Sequence, residues 1–77
     1  MQDRIVLYTH PECGLCVTVK LELEELGTSY DEVDLAQQPE KRAELERWTQ
    51  GERITPVMVD GDKVTIGYHG VGCAFYD

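Results

Sequence analysis

Two cysteines separated by two residues are the groups of this chain best suited to chemistry. The sequence Cys13-Gly14-Leu15-Cys16 follows an apolar, strand-like run and stands at the beginning of a predicted helix. The thiolate is the nucleophile of disulfide exchange, and the partial positive charge at a helix N-terminus stabilises it. We therefore expect Cys13 to attack disulfides as a thiolate. Cys16, about one helical turn further on, would then resolve the mixed disulfide.

The same residues permit a second kind of chemistry, metal binding. Cys13, Cys16 and Cys73, together with either His10 or His69, could supply four sulfur or imidazole ligands to zinc. Structural zinc sites usually contain two pairs of ligands that are close in sequence, and here only Cys13 and Cys16 form such a pair. Zinc binding is therefore kept as the alternative to disulfide exchange. Cys73 itself has two interpretations: a partner in a regulatory or intermolecular disulfide, or a small buried hydrophobe, and the second is favoured. His69 is interpreted as a solvated loop residue, with a position near the site as the second interpretation.

Composition narrows the class of protein. The chain has 77 residues, which predicts one domain over residues 1–77, and its net charge is −8. No basic cluster is present to neutralise phosphates, so we exclude nucleic acid as a partner. No apolar run approaches the roughly 20 residues that span a bilayer, and the N-terminus lacks signal-peptide architecture, which excludes a membrane partner and predicts a cytoplasmic protein.

Apolar periodicity and turn residues predict the order β-α-β-α-β-β. The strands are expected at residues 5–8, 29–35, 57–59 and 63–66, and the helices at residues 15–26 and 39–50. Thr55 and Pro56 are expected to open the third strand. The first helix is ambiguous because two sets of apolar residues compete. The set that alternates, as in a strand, is Leu15, Val17, Val19, Leu21 and Leu23. The set at helical spacing, which favours a helix, is Cys16, Val19, Leu23 and Leu26. In the second helix, Leu45 and Trp48 are the expected core anchors.

Four motifs in this order resemble the glutaredoxin family of the thioredoxin superfold. They lie at residues 7–16, 30–35, 51–56 and 60–67, and the match extends from residue 4 to about residue 70. The resemblance implies an α/β, thioredoxin-like fold with a four-stranded mixed sheet. It also implies a dithiol oxidoreductase, without a bound cofactor, that reduces disulfides in proteins or glutathione-mixed disulfides.

The resemblance also implies further site residues. Pro56 matches the family's cis-proline beside the redox cysteines, and Thr55 before it would pair through its main chain with an extended substrate or with glutathione. The remaining substrate-binding residues would be His10, Pro11, Gly67 and Tyr68, with Tyr8 also at the rim of the site.

Three departures from the family pattern concern the electron source. Members that use glutathione usually carry a lysine where this chain has His10 and Thr-Val-Pro where it has Ile54-Thr55-Pro56. They also carry an aspartate soon after a Gly-Gly pair, which residues 67–72 lack. The reductant is therefore expected to be either glutathione or thioredoxin reductase, and both alternatives stay open.

The end of the sequence departs from the family as well. Glutaredoxins normally close with a third helix, but the residues after the fourth strand predict a truncated or missing C-terminal helix and a flexible segment at 67–72. One face of the sheet would then lose part of its cover, which Phe75 and Tyr76 would partly replace. A monomer with weak self-association through that face is the resulting expectation.

Overall fold

A computed structural model describes residues 5–74 of the chain. The elements are β1 (Ile5–Thr9), α1 (Gly14–Glu25), β2 (Tyr30–Asp34), one turn of 3-10 helix (Pro39–Lys41), α2 (Arg42–Thr49), β3 (Ile54–Thr55), β4 (Val57–Asp60), β5 (Lys63–Ile66) and β6 (Cys73–Ala74). The predicted order is confirmed, and two short strands add to it. Thr55 was expected to open the third strand of the sheet, but it belongs to the separate strand β3, which ends before Pro56.

The main sheet is mixed, as expected, and has the strand order β2-β1-β4-β5. Strand β1 runs parallel to β2 and antiparallel to β4, and β4 forms an antiparallel hairpin with β5. Its central position explains why β1 is apolar from Ile5 to Tyr8, since both faces are covered. Strand β2 lies at an edge, where the exposed carboxylates of Asp31 and Glu32 discourage pairing with another chain.

Helix α1 covers one face of the sheet and settles the ambiguity of its sequence. Cys16, Val19 and Leu23, which recur at helical spacing, are buried, whereas Val17 and Leu21 of the alternating set are more than half exposed. Val19 and Leu23 pack with Leu7 of β1. This packing fixes the rotation of α1, and therefore turns Cys16 inward beneath the beginning of the helix.

Helix α2 covers the opposite face. Leu45 is fully buried there in a cluster with Tyr8, Leu35, Val57 and Val59. Trp48, the second expected anchor, is not part of this core. It is 38% exposed and lines a groove of about 540 Å³. The prediction was wrong because the buried stripe of α2 runs through Leu45 and Thr49, four residues apart, which leaves Trp48 at its margin.

Within residues 5–74, no helix follows β5. The face covered by α1 keeps an open groove of about 340 Å³, whose lining includes Leu7, Val19, Leu23, Met58 and Tyr68. The partial loss of cover expected for this face is thus present. Phe75 and Tyr76, which were expected to pack here, lie outside the described residues, and self-association stays a prediction. In the same part of the chain, no helix is both long and apolar enough to cross a membrane.

A buried leucine and an exposed leucine should respond differently when their side chains are truncated. Leu45→Ala removes a fully buried side chain and should lower the free energy of unfolding by about 2–5 kcal/mol, measured by urea denaturation. Leu21→Ala is the matched control, because Leu21 is 55% exposed, and should change it by less than about 0.5 kcal/mol. Equal losses in the two variants would contradict the assignment of the core.

Candidate functional site

The loop after β1 carries the chain to the first cysteine. The Cys13 N–H donates to the carbonyl oxygen of His10 (3.0 Å), and the Glu12 N–H donates to the His10 Nδ1 (3.3 Å). His10 was predicted to bind substrate, but its side chain lies inside this loop and is only 7% exposed. Pro11, the other predicted substrate contact in the loop, is exposed. His10 therefore shapes the turn that delivers Cys13.

Cys13 occupies the N-cap position of α1, directly before the helix begins. The Cys16 N–H donates to the Cys13 carbonyl oxygen (3.1 Å), which closes the first turn. That turn contains no acidic residue, so no carboxylate competes with a sulfur anion for the unpaired N–H groups of the helix. Cys16 is a free thiol and is 2% exposed. The structure thus places one sulfur at the helix terminus and the other beneath it.

Pro56 lies beside the cysteines, and the Thr55–Pro56 peptide bond is cis, as the family pattern implied. Thr55 is fully buried, and its carbonyl oxygen is 3.6 Å from the Cys13 Sγ. The Gly67 N–H donates to the Pro56 carbonyl oxygen (2.7 Å), which ties the end of β5 to this loop. Thr55, Pro56 and Gly67, all predicted as substrate contacts, are therefore brought together next to Cys13.

Cys13 is not paired with Cys16. It forms a disulfide with Cys73, with the two Cα atoms 5.7 Å apart. Strand β6 pairs antiparallel with β3, and Cys73 is directly opposite Thr55. The favoured interpretation of Cys73, a small buried hydrophobe, gives way to the alternative, a disulfide partner. With Cys73 in place, Cys13 is 2% exposed, so this form of the protein presents no attacking sulfur.

A tight turn brings Cys73 to this position. The main chains of Tyr68 and Val71 exchange two hydrogen bonds (2.7 and 3.0 Å), with His69 and Gly70 between them at φ values of 52° and 81°. Two positive φ values in the central positions define a type I′ turn, which reverses the chain sharply. Residues 67–72, expected to be a flexible segment, thus fold back on the site. The sequence signal was weak because His69 stands where Asn or Asp is usual.

The side chain of Tyr68 turns toward α1. Its hydroxyl donates to a carboxylate oxygen of Glu22 (3.3 Å), and its ring meets the ring of His69 edge to face, 4.2 Å between centroids. Partial desolvation and, after it, the Glu22 carboxylate raise the pKa of Tyr68. Tyr68 therefore borders the groove beside α1, on the same turn that directs Cys73 toward Cys13.

Two partly buried sets of hydrogen bonds involve β1 residues on the two faces of the sheet. The Thr9 hydroxyl donates to the Glu32 carboxylate (2.8 Å), which also accepts from the Lys20 ammonium (3.1 Å). That hydrogen bond to Glu32 raises the pKa of Lys20, with a smaller contribution from the Cys16 sulfur. On the other face, burial and the bond to Glu44 (2.5 Å) raise the pKa of Tyr8 to about 12. Tyr8, expected at the rim, thus points toward α2 instead.

The geometry does not assemble the zinc site considered from the sequence. Within residues 5–74, no three His, Cys, Asp or Glu side chains are arranged to hold a metal ion. The sulfurs of Cys13 and Cys73 are bonded to each other, and His69 is an exposed residue of the turn.

Comparison with known proteins defines the class. A family model for glutaredoxin matches residues 5–64. The chain therefore belongs to the glutaredoxin family, whose members are thiol–disulfide oxidoreductases with a thioredoxin-like fold.

Three individual proteins are similar to this chain. NrdH-redoxin from Escherichia coli, a glutaredoxin-like protein with a thioredoxin-like activity profile, is 33% identical, covers 86% of this chain and 84% of its own, and superposes with a TM-score of 0.72. Glutaredoxin (grx-1) from Archaeoglobus fulgidus is 18% identical and shares the fold with a TM-score of 0.76. The match covers 87% of this chain and 77% of the Archaeoglobus chain. The Gene 56 protein of Mycobacterium phage D29 is 28% identical over 64 residues, 83% of this chain and 71% of that protein.

The disulfide assignment can be tested directly by peptide mapping. Trypsin leaves Cys13 and Cys16 together in residues 5–20 and Cys73 in residues 64–77. We expect the oxidised protein, alkylated after denaturation, to yield these two peptides joined, with the alkyl group on Cys16. Alkylation before denaturation should be much slower because Cys16 is buried. A Cys13–Cys16 bond within one peptide, with Cys73 alkylated, would contradict the observed pairing.

Proposed function

We propose that the protein is a dithiol disulfide reductase in which Cys13 attacks and Cys16 resolves. The observation that carries the proposal is the position of Cys13, at the N-terminus of α1 and 3.6 Å from the main-chain oxygen of Thr55. Positive polarisation at the helix terminus favours the sulfur anion, and the Thr55 main chain offers hydrogen-bonding groups to an extended substrate.

The reaction divides into two exchanges. The Cys13 thiolate attacks one sulfur of a substrate disulfide, and the other sulfur leaves as a thiolate that takes up a proton. Cys16 then attacks the Cys13 Sγ, which forms the Cys13–Cys16 disulfide and releases the second substrate sulfur. The burial of Cys16 supports this order, since a sulfur beneath the surface meets Cys13 more readily than a protein substrate.

We propose that thioredoxin reductase reduces the protein at least as well as glutathione does. Two observations support this preference. The position of the usual glutathione-binding lysine holds His10, whose ring is used within the loop. The relative with 33% identity is described by its thioredoxin-like activity profile.

Cysteine variants test the catalytic assignment. In an insulin reduction assay driven by dithiothreitol, Cys13→Ser should fall to the uncatalysed rate because the attacking sulfur is gone. Cys16→Ser should form the mixed disulfide but turn over slowly, and it should accumulate as a covalent adduct visible by mass spectrometry. Cys73→Ser is the matched control and should remain active. Full activity in Cys13→Ser would overturn the proposed function.

The electron source is tested by reducing the oxidised protein with thioredoxin reductase and NADPH or with glutathione and glutathione reductase. NADPH consumption at matched protein concentration should be equal or faster with thioredoxin reductase, since the usual glutathione contacts are missing. Fast reduction by glutathione alone would contradict this preference and leave the dithiol mechanism intact.

A further inference from the structure

The strand opposite Thr55 is occupied by the protein's own chain. Cys73 and Ala74 run antiparallel to Ile54 and Thr55, and the Cys73 sulfur is bonded to Cys13. Both features are those that the proposed function requires of a substrate: an extended main chain on the Thr55 edge and a cysteine whose sulfur Cys13 has attacked.

The approach of the two strands is close at one position. A Cβ atom at Gly72 would lie 2.7 Å from the Ile54 Cδ1 and 3.3 Å from the Thr55 carbonyl oxygen. The Ile54 Cγ1 is equally close, so a larger residue before the cysteine reaches Thr55 only if the Ile54 side chain shifts, and a small residue is favoured. The type I′ turn at residues 68–71 then supplies the reversal that aims Gly72 at this gap.

We propose that residues 72–74 are a tethered copy of the substrate, and that the substrates are extended polypeptide segments in which a small residue precedes the reactive cysteine. This inference rests on the proposed function and deepens it. The Cys13–Cys73 bond then corresponds to the mixed disulfide of catalysis, held within one chain, and it closes the site to other substrates.

Opening and closing are disulfide exchanges without net oxidation. To open, the Cys16 thiolate attacks the Cys13 Sγ, the Cys13–Cys73 bond breaks, and Cys73 leaves as a thiolate that takes up the proton lost by Cys16. The product is the Cys13–Cys16 disulfide, which the reductant of the proposed function reduces. To close, the Cys73 thiolate attacks the Cys13 Sγ and Cys16 leaves. When the reductant is scarce, oxidised protein accumulates and the site is closed by the Cys13–Cys73 bond. When the reductant is supplied, it reduces the Cys13–Cys16 form, and the exchange equilibrium then opens the site.

A set of activated peptides tests the substrate class. The double variant Cys16→Ser, Cys73→Ser keeps Cys13 as its only cysteine and is mixed with thionitrobenzoate disulfides of three thiols. These are acetyl-Val-Gly-Cys-Ala-amide, which copies residues 71–74, acetyl-Val-Val-Cys-Ala-amide, and glutathione. Attack by Cys13 on the probe's cysteine sulfur releases coloured thionitrobenzoate, and rates are normalised to those of free N-acetylcysteine.

The expected order follows from the close approach at Gly72. The glycine peptide should react about tenfold faster than the valine peptide, because losing one or two main-chain hydrogen bonds of about 1 kcal/mol each changes a rate by roughly this factor. Glutathione, whose residue before cysteine is joined through a side chain, should also react more slowly. If Cys13 reacts with all three probes at equal normalised rates, and faster than free N-acetylcysteine does, the substrate class is overturned. The proposed function would still stand. Rates no faster than free N-acetylcysteine for every probe would overturn both.

A variant of the full chain tests the tethered copy itself. Gly72→Val should shift the equilibrium from Cys13–Cys73 toward Cys13–Cys16 by about tenfold, measured by tryptic mapping after incubation with catalytic thiol. Val71→Ala is the control and should leave the ratio unchanged, since the Val71 side chain is 58% exposed. An unchanged ratio in Gly72→Val would show that the strand does not hold Cys73 on Cys13.

Discussion

The main chain of Thr55, held beside the sulfur of Cys13, is the contact on which the proposed chemistry depends. In the proposed function, the edge of β3 receives an extended chain that runs antiparallel to it, as residues 73 and 74 do in the structure. The Thr55 hydroxyl is buried and has no hydrogen-bond partner among residues 5–74, so this contact is made by the backbone. Recognition by backbone leaves side-chain selection to positions where the two strands approach closely, and Gly72 beside Ile54 and Thr55 is such a position.

The fold places these two groups together through the two central strands. Strands β1 and β4 are antiparallel neighbours, with Tyr8 opposite Val57. The loop that follows β1 therefore emerges next to the residues that precede β4. Cys13 comes from the first and Thr55 from the second, so the site depends on a pairing at the centre of the sheet rather than on a flexible loop. The buried clusters on both faces hold this pairing in place.

Much of this arrangement could be predicted from the sequence. The element order, the mixed sheet and the position of Cys13 at the beginning of α1 followed from apolar spacing, turn residues and the Cys-x-x-Cys motif. A disulfide of Cys73 was one of two interpretations of that residue, but the sequence did not favour it over a buried thiol, because Cys13 and Cys73 are 60 positions apart and a turn brings them together. That turn places His69 at a positive φ, which is uncommon for residues other than glycine. Trp48 was misplaced because helical spacing alone does not reveal where a buried stripe ends.

One measurement tests the central claim most directly. The copy of residues 71–74 is joined by a disulfide to Cys13 in the Cys16→Ser, Cys73→Ser variant, and contacts between the two chains are measured by NMR. The account predicts nuclear Overhauser effects between the main chain of Thr55 and that of the peptide's cysteine, in the antiparallel register that Cys73 adopts in the intact protein. A peptide bonded to Cys13 that shows no contact with Thr55 would contradict it.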